Sequence, residues 1–322
     1  MAKVDDGWGR AWRYSAEPAA SVMEQPRIED CSGIAMEASI WRRRRSEELA
    51  AILPFLNAHT ERRTRNESHP VYDFLFQYYR FRASQLRRWS PGCGVVLEDS
   101  SGDQDLPAQF CAPRGRETAR WLDPGDFPRK RQPALQWTIR LLQETRDRPP
   151  VFGCDGMHEW AMVYRAQGNR HPEFPLRVTA DRVAEIVESR GLICTHFDAF
   201  RFFTEAAKPL NRMKLNRELR HSHEQRGCLH TNMDLYKWAY KWVPWVPSCL
   251  LFTALEIAIR ARELDMRASP YDLRSLGFSP IRIEEPSGRE EYRRLQRGIA
   301  DDAQPIRERL VEELCHLTLT TR

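Results

Sequence analysis

No stretch of this 322-residue chain reaches the roughly 18 to 20 consecutive apolar residues that a membrane-spanning helix requires. The richest, residues 243–259, is broken by Pro244, Pro247 and Glu256, so no membrane partner is expected. The eight cysteines (Cys31, Cys93, Cys111, Cys154, Cys194, Cys228, Cys249 and Cys315) form no C-x-x-C pair, which argues against a zinc ribbon. No secretory leader with an apolar core and cleavage site precedes them, and a reduced, cytoplasmic setting is the expectation. Lysine is scarce: six of the 50 basic residues are lysine and the rest arginine, for a net charge of +5. Arginine's planar fork matches phosphate and carboxylate, which keeps DNA or a purine-containing small molecule open as a partner. Codon usage in a GC-rich genome accounts for the same bias without any partner. The chain also lacks a G-x-x-x-x-G-K-[ST] phosphate loop, a dinucleotide glycine fingerprint and a G-x-S-x-G elbow, so those chemistries find little support.

At this length a substantial core is available without disulfides or a structural metal. Residues 1–38 show neither helical nor strand periodicity and mix Gly, Ser, Pro and Glu with isolated tryptophans, the composition of a disordered tail. Residues 39–322 read as a single helical domain, mainly α with minor short strands. The apolar spacing predicts helices over 41–65, 70–89, 131–146, 155–166, 180–190, 196–206, 230–243, 248–267 and 288–316. Short strands are expected at 95–98, 176–178, 192–195 and 281–283, too few for a large sheet. Residues 90–130, rich in Gly, Pro and Asp, form an irregular insertion whose length suits a functional loop or lid. The run Arg42 to Arg45 reads as a solvated helix face.

Four segments place a histidine beside a carboxylate and follow it with aromatics. His69 and Asp73 stand four apart, as do His230 and Asp234, a spacing that puts each pair on one helix face. Between them lie the segments with His158 and Glu159, and with His196 and Asp198. Imidazole and carboxylate are ligands for iron, manganese and zinc, and facing helices build metal centres from such pairs. His69, Asp73, His158, His196 and His230 are therefore candidate metal ligands, with Glu159, Asp198 and Asp234 as carboxylates in the same pool. No H-E-x-x-H and no repeated Glu-x-x-His is present, so each pair read alone fits a hydrogen-bonded buried network better, and it is the recurrence in four segments that points to a shared site. A fifth segment, Glu263 to Leu273, ends a long helix at Ser269-Pro270; its Arg267, Tyr271 and Asp272 are candidates for a clamp, a stacking ring and a base, or simply fix the turn. Aromatics gather at 74–81, 197–203 and 236–245, interleaved with Arg80, Arg82, Arg201, Lys237 and Lys241, a mixture suited to stacking a planar base beside a phosphate. Cys154 beside Asp155 and His158 allows a thiol nucleophile, although cysteine more commonly serves as a small buried apolar residue.

The strings His69-Pro70-Val71-Tyr72-Asp73-Phe74-Leu75-Phe76, Thr195-His196-Phe197-Asp198-Ala199-Phe200-Arg201-Phe202-Phe203, Gly227 to Tyr240 and Asp265-Met266-Arg267-Ala268-Ser269-Pro270-Tyr271-Asp272-Leu273 resemble a bacterial family usually labelled 3-methyladenine DNA glycosylase. The likeness covers about residues 45–314. It implies an N-glycosylase that excises an alkylated purine from DNA, and supplies a substrate class without a mechanism. The chain departs from other helical glycosylases in lacking the helix-hairpin-helix G-P-G pattern and the four-ligand zinc arrangement.

Three readings stand. In the glycosylase reading Asp198, Asp234 or Asp272 orients water or stabilises the cationic sugar, and Tyr78, Tyr236 or Trp238 stacks the base. Arg80, Arg201, Lys237, Arg267 and Tyr271 then complete the substrate site, and Glu159 is a further catalytic carboxylate. In the second reading the His and carboxylate pool holds one or two transition-metal ions for an oxygenase or hydrolase. In the third, a scaffold protein uses the polar network only to specify its core.

Overall fold

The computed structural model describes residues 34–168 and 170–320. It is mainly helical with one small sheet. The chain enters through strand β1 (Ile34–Met36) and a long helix α1 (Ala38–Thr64), followed by two short helices, α2 (Phe74–Tyr79) and α3 (Ala83–Leu86). Strands β2 (Val95–Leu97) and β3 (Arg120–Trp121) lie within the irregular insertion. The remaining helices are α4 (Gln132–Asp147), α5 (His158–Val163), α6 (Ala180–Arg190), α7 (Phe197–Phe200), α8 (Arg220–His223), α9 (Leu229–Trp242), α10 (Ser248–Ala268) and α11 (Pro286–Thr320).

Helices α9, α10, α11 and α4 pack on one another as the centre of the molecule, and α1 leans on α10. Helix α10 is apolar enough to be the central member: Leu250, Leu251, Ala254, Leu255, Ala258 and Ala261 recur at helical spacing and all are buried. Pro270 and Pro244, which lack an N–H, stand just beyond the ends of α10 and α9. Helix α6 is closed at both ends by local chemistry, with Thr179 accepting from the Arg182 N–H and Gly191 taking a positive φ at the C-terminus. The sheet has the order β1-β2-β3, with β1 parallel and β3 antiparallel to β2. Beneath it Trp41, Trp89, Val95 and Leu97 form a separate small core. No helix among the described residues is long and apolar enough to cross a membrane.

Several boundaries differ from the sequence reading. The expected tail 1–38 falls largely outside the described residues, but Ile34–Met36 is a strand, because its backbone pairs with Val95 to Leu97 some sixty residues away. The helix expected over 70–89 is divided where Arg80 takes a left-handed conformation, φ 56°. Those expected over 155–166 and 196–206 contract to His158–Val163 and Phe197–Phe200. Segments 176–178 and 192–195 make single bridges only, Leu176 with Tyr271 and Leu192 with Asn211, and 281–283 is not a strand. Helix α8 was not foreseen; four residues carry no readable periodicity.

The loop that delivers α5 is set by two positive-φ residues, Asp155 and Gly156. The Asp155 carboxylate is gripped by Arg190 (Oδ2, 2.6 Å) and Arg293 (Oδ1, 2.6 Å), which ties this bend to α6 and α11. A Cβ on Gly156 would stand 2.9 Å from Tyr292 Cε2 and 3.0 Å from Ala268 Cβ. Gly156→Ala is expected to lower unfolding free energy by roughly 2 to 3 kcal/mol, combining backbone strain with overpacking; equilibrium urea unfolding measures it, and an unchanged midpoint would contradict this account.

Candidate metal centre

Three elements converge beside the α9–α10 contact. His158 is the first residue of α5, His230 lies in the first turn of α9, and Asp265 in the last turn of α10. Each offers a ligand atom, and the three atoms lie within 4.8 Å of one another, all in buried residues. His158 Nδ1 and Asp265 Oδ1 are 2.8 Å apart. Asp265 Oδ1 is fully buried, and His158 is the polar group that faces it. The His230 ring meets that of His158 edge to face, centroids 4.0 Å apart. Burial, and then the neighbouring His158, push His230 far below the ordinary histidine range, leaving the neutral imidazole a metal requires.

Arg262 organises the carboxylates. Its Nη1 donates at 2.7 Å to both Glu159 Oε1 and Asp265 Oδ2, and Nε and Nη2 reach the Pro70 carbonyl at 3.3 Å. Its guanidinium carbon lies 3.7 Å from the Phe74 ring centroid. One oxygen of each carboxylate is thus occupied by Arg262, while Glu159 Oε2 is buried without a hydrogen-bond partner and Asp265 Oδ1 faces His158. Burial alone would raise both carboxyls; the adjacent His158 and Arg262 outweigh it and keep both ionised.

A second cluster adjoins the first through His196, whose ring is 5.7 Å from that of His230. His196 Nε2 is 3.3 Å from Asp234 Oδ2, an oxygen that also receives Lys237 Nζ at 2.7 Å and Arg220 Nη2 at 3.3 Å. Tyr79 donates to the other oxygen at 2.7 Å. Lys237 and Arg220 both reach Asp198, and Arg220 bonds Glu224 at 2.7 Å. Asp234 therefore sits well below the carboxylate range, burial being overcome by Lys237, His196 and Arg220. Trp238 carries Lys237 and Arg220 on its ring, at 4.6 Å and 5.6 Å. Tyr78, its hydroxyl buried and unpartnered, stands between this cluster and Phe202, against which Arg201 packs.

The other residues singled out from the sequence lie elsewhere. His69 turns its Nδ1 back to accept from the Val71 and Tyr72 N–H groups and stacks on Tyr72, so that nitrogen is spent on a turn. Asp73 is fully engaged by Arg62, by His59 and by the His69 N–H. The His69 segment consequently stays out of the ligand set and serves the centre only through Pro70 and Phe74. Asp272 is paired with Arg274 at the surface and held at about 2 by its hydrogen bonds. Arg267 bonds Ser279 O and Glu291, away from the centre. Arg80 is exposed at the end of α2. Tyr236 is buried among Tyr79, Phe81 and Tyr240. Tyr271, packed on His171, is buried near Glu159 with its hydroxyl unpartnered. The sequence reading left Asp265 out of the ligand pool and named neither Arg262 nor Arg220. The signal for the first two was the spacing of Arg262 and Asp265, i and i+3, which continues the apolar face of Leu255 and Ala258.

Comparison of the chain with family models, with curated proteins and with solved structures finds no match in any of the three.

Asp73 gives a pH signature distinct from the centre. Burial opposes its ionisation, but Arg62 and His59 bring its pKa from 3.8 to about 2. A depressed folded pKa adds stability that is complete above about pH 4 and disappears as pH falls toward 2. Asp73→Asn is expected to cost on the order of 3 kcal/mol at pH 7, with the deficit shrinking below pH 4. Urea titrations of both proteins across that range test it; a deficit independent of pH would refute the assignment.

Proposed function

We propose that this chain is a metal-dependent enzyme whose mononuclear transition-metal ion is held by His158, His230 and Asp265. The observation that carries the reading is the convergence of His158, His230 and Asp265, whose ligand atoms lie within 4.8 Å of one another in buried residues. Burying an ionised carboxylate is costly, and a cation shared with the two imidazoles offsets that cost. Two histidines and one carboxylate suit iron, manganese or zinc, and an ion so held supplies a Lewis acid with open coordination positions for an oxygenase or hydrolase.

The chain's own groups then divide the work. Arg262 fixes Asp265 through Oδ2 and leaves Oδ1 to face the imidazoles, the role of an outer partner to a ligating carboxylate. Glu159, ionised and with Oε2 unpartnered, is the group placed to accept a proton at that oxygen. Phe74 covers the guanidinium, and the packing of α9 on α10 keeps bulk water from the carboxylates.

A glycosylase, the activity that the resemblance implies, would instead draw on the neighbouring cluster. There Asp198 is partly exposed and flanked by Arg201 and Lys237, with Tyr78 and Phe202 beyond them. Release of 3-methyladenine from methylated DNA, abolished by Asp198→Asn, would favour that reading.

Protein loaded with ferrous, manganous or zinc ion and passed over a desalting column is expected to retain about one equivalent by elemental analysis, a stoichiometry set by the cluster of His158, His230 and Asp265. His230→Ala and Asp265→Asn should abolish retention, while Arg262→Gln should weaken affinity roughly 10- to 100-fold. His69→Gln and Asp198→Asn should retain the ion. Folded protein that keeps no stoichiometric metal would refute the proposal.

A further inference from the structure

A cavity of about 30 Å³ lies against two of the three proposed ligands, His158 and His230. That volume has room for about two water-sized molecules, a size that suits a ligand of two heavy atoms. Its walls include three thiols, Cys154, Cys194 and Cys228, which are far apart in the chain and meet only here. Burial pushes the thiols of Cys154 and Cys194 upward, so that part of the wall is uncharged. Leu192 and Phe203 supply further apolar surface.

Among the polar groups on the wall, the Gln225 amide is spent on its neighbours. The Gln225 amide receives the Val151 and Gly227 N–H groups on its oxygen and donates from its nitrogen to the Val151 carbonyl. A stable internal water needs two to four polar partners, whereas small apolar cavities stay dry and take up uncharged guests such as xenon. Val151 also lines the cavity and is 47% exposed, which puts one wall of the cavity at the surface.

We propose that this thiol-walled cavity admits and holds an uncharged diatomic ligand of the dioxygen class beside the metal ion. The inference rests on the metal reading above and adds to it the ligand and its route.

The probes are xenon and nitric oxide. In crystals of the full chain under xenon pressure, xenon is expected between Cys194 and His230. In anaerobic protein loaded with ferrous ion, nitric oxide should give the electron paramagnetic resonance signal of a high-spin iron–nitrosyl. Its association rate should fall roughly tenfold, equivalent to about 1.4 kcal/mol on the barrier, in Val151→Trp, a change at the exposed mouth, and in Cys194→Met, with iron content unchanged. Ordered waters in place of xenon, or equal nitric oxide rates in the wild-type and both variant proteins with iron retained, would overturn this inference and leave the metal reading standing. Protein that retains no iron, manganese or zinc, even with xenon in the cavity, would overturn the metal reading and this inference with it.

Discussion

Arg262 is the interaction around which the centre is arranged. It is fully buried, and its charge is met by Glu159 and Asp265 on one side, the Pro70 carbonyl on another and the Phe74 ring beneath. One guanidinium therefore joins α2, α5 and α10 and the turn ahead of α2. A buried arginine is tolerable only with such complete satisfaction, and removing Arg262 would leave two carboxylates uncompensated by it inside the protein. Arg262 engages one oxygen of each carboxylate and leaves Asp265 Oδ1 facing the His158 imidazole, with His230 beside it. That gathering of donor atoms is the physical basis for proposing a cation at the site.

Helix α9 connects this centre to the cluster around Asp234. His230 and Asp234 lie one turn apart on a shared face, as the i, i+4 spacing requires, yet they serve different neighbours. His230 faces His158 and Asp265, while Asp234 is neutralised by Lys237 and Arg220 and hydrogen-bonded by Tyr79. His196 sits between the two groups, close to both. The two clusters share a wall, so the proposed ion lies in a chain of charged groups and not in an isolated pocket. Electrostatic changes in one cluster will be felt in the other, because low local dielectric screens them weakly.

Much of the helical frame was legible because it rests on local signals. The spacing of apolar residues over 248–267, the prolines beyond α9 and α10, and the Thr179 and Gly191 caps of α6 all act within a few residues of themselves. Short elements were poorly legible for the complementary reason. Strand β1 exists through hydrogen bonds to β2, and the left-handed turn at Arg80 is imposed on a segment whose pattern continues as a helix.

For the site, the sequence by itself determined the inventory: histidines next to carboxylates, set in aromatic segments, with too few glycine-rich or cysteine motifs for the common alternatives. It could not decide which histidines meet. His69 with Asp73 and His230 with Asp234 have the same spacing, but the first pair is consumed by His59, Arg62 and a tight turn, and the second is divided between two clusters. Asp265, unremarkable in its own segment, becomes a proposed ligand only because α10 packs along α9 and brings its last turn to His158 and His230. Side-chain chemistry is local information, whereas convergence depends on how helices distant in sequence pack, and tertiary structure alone decided that.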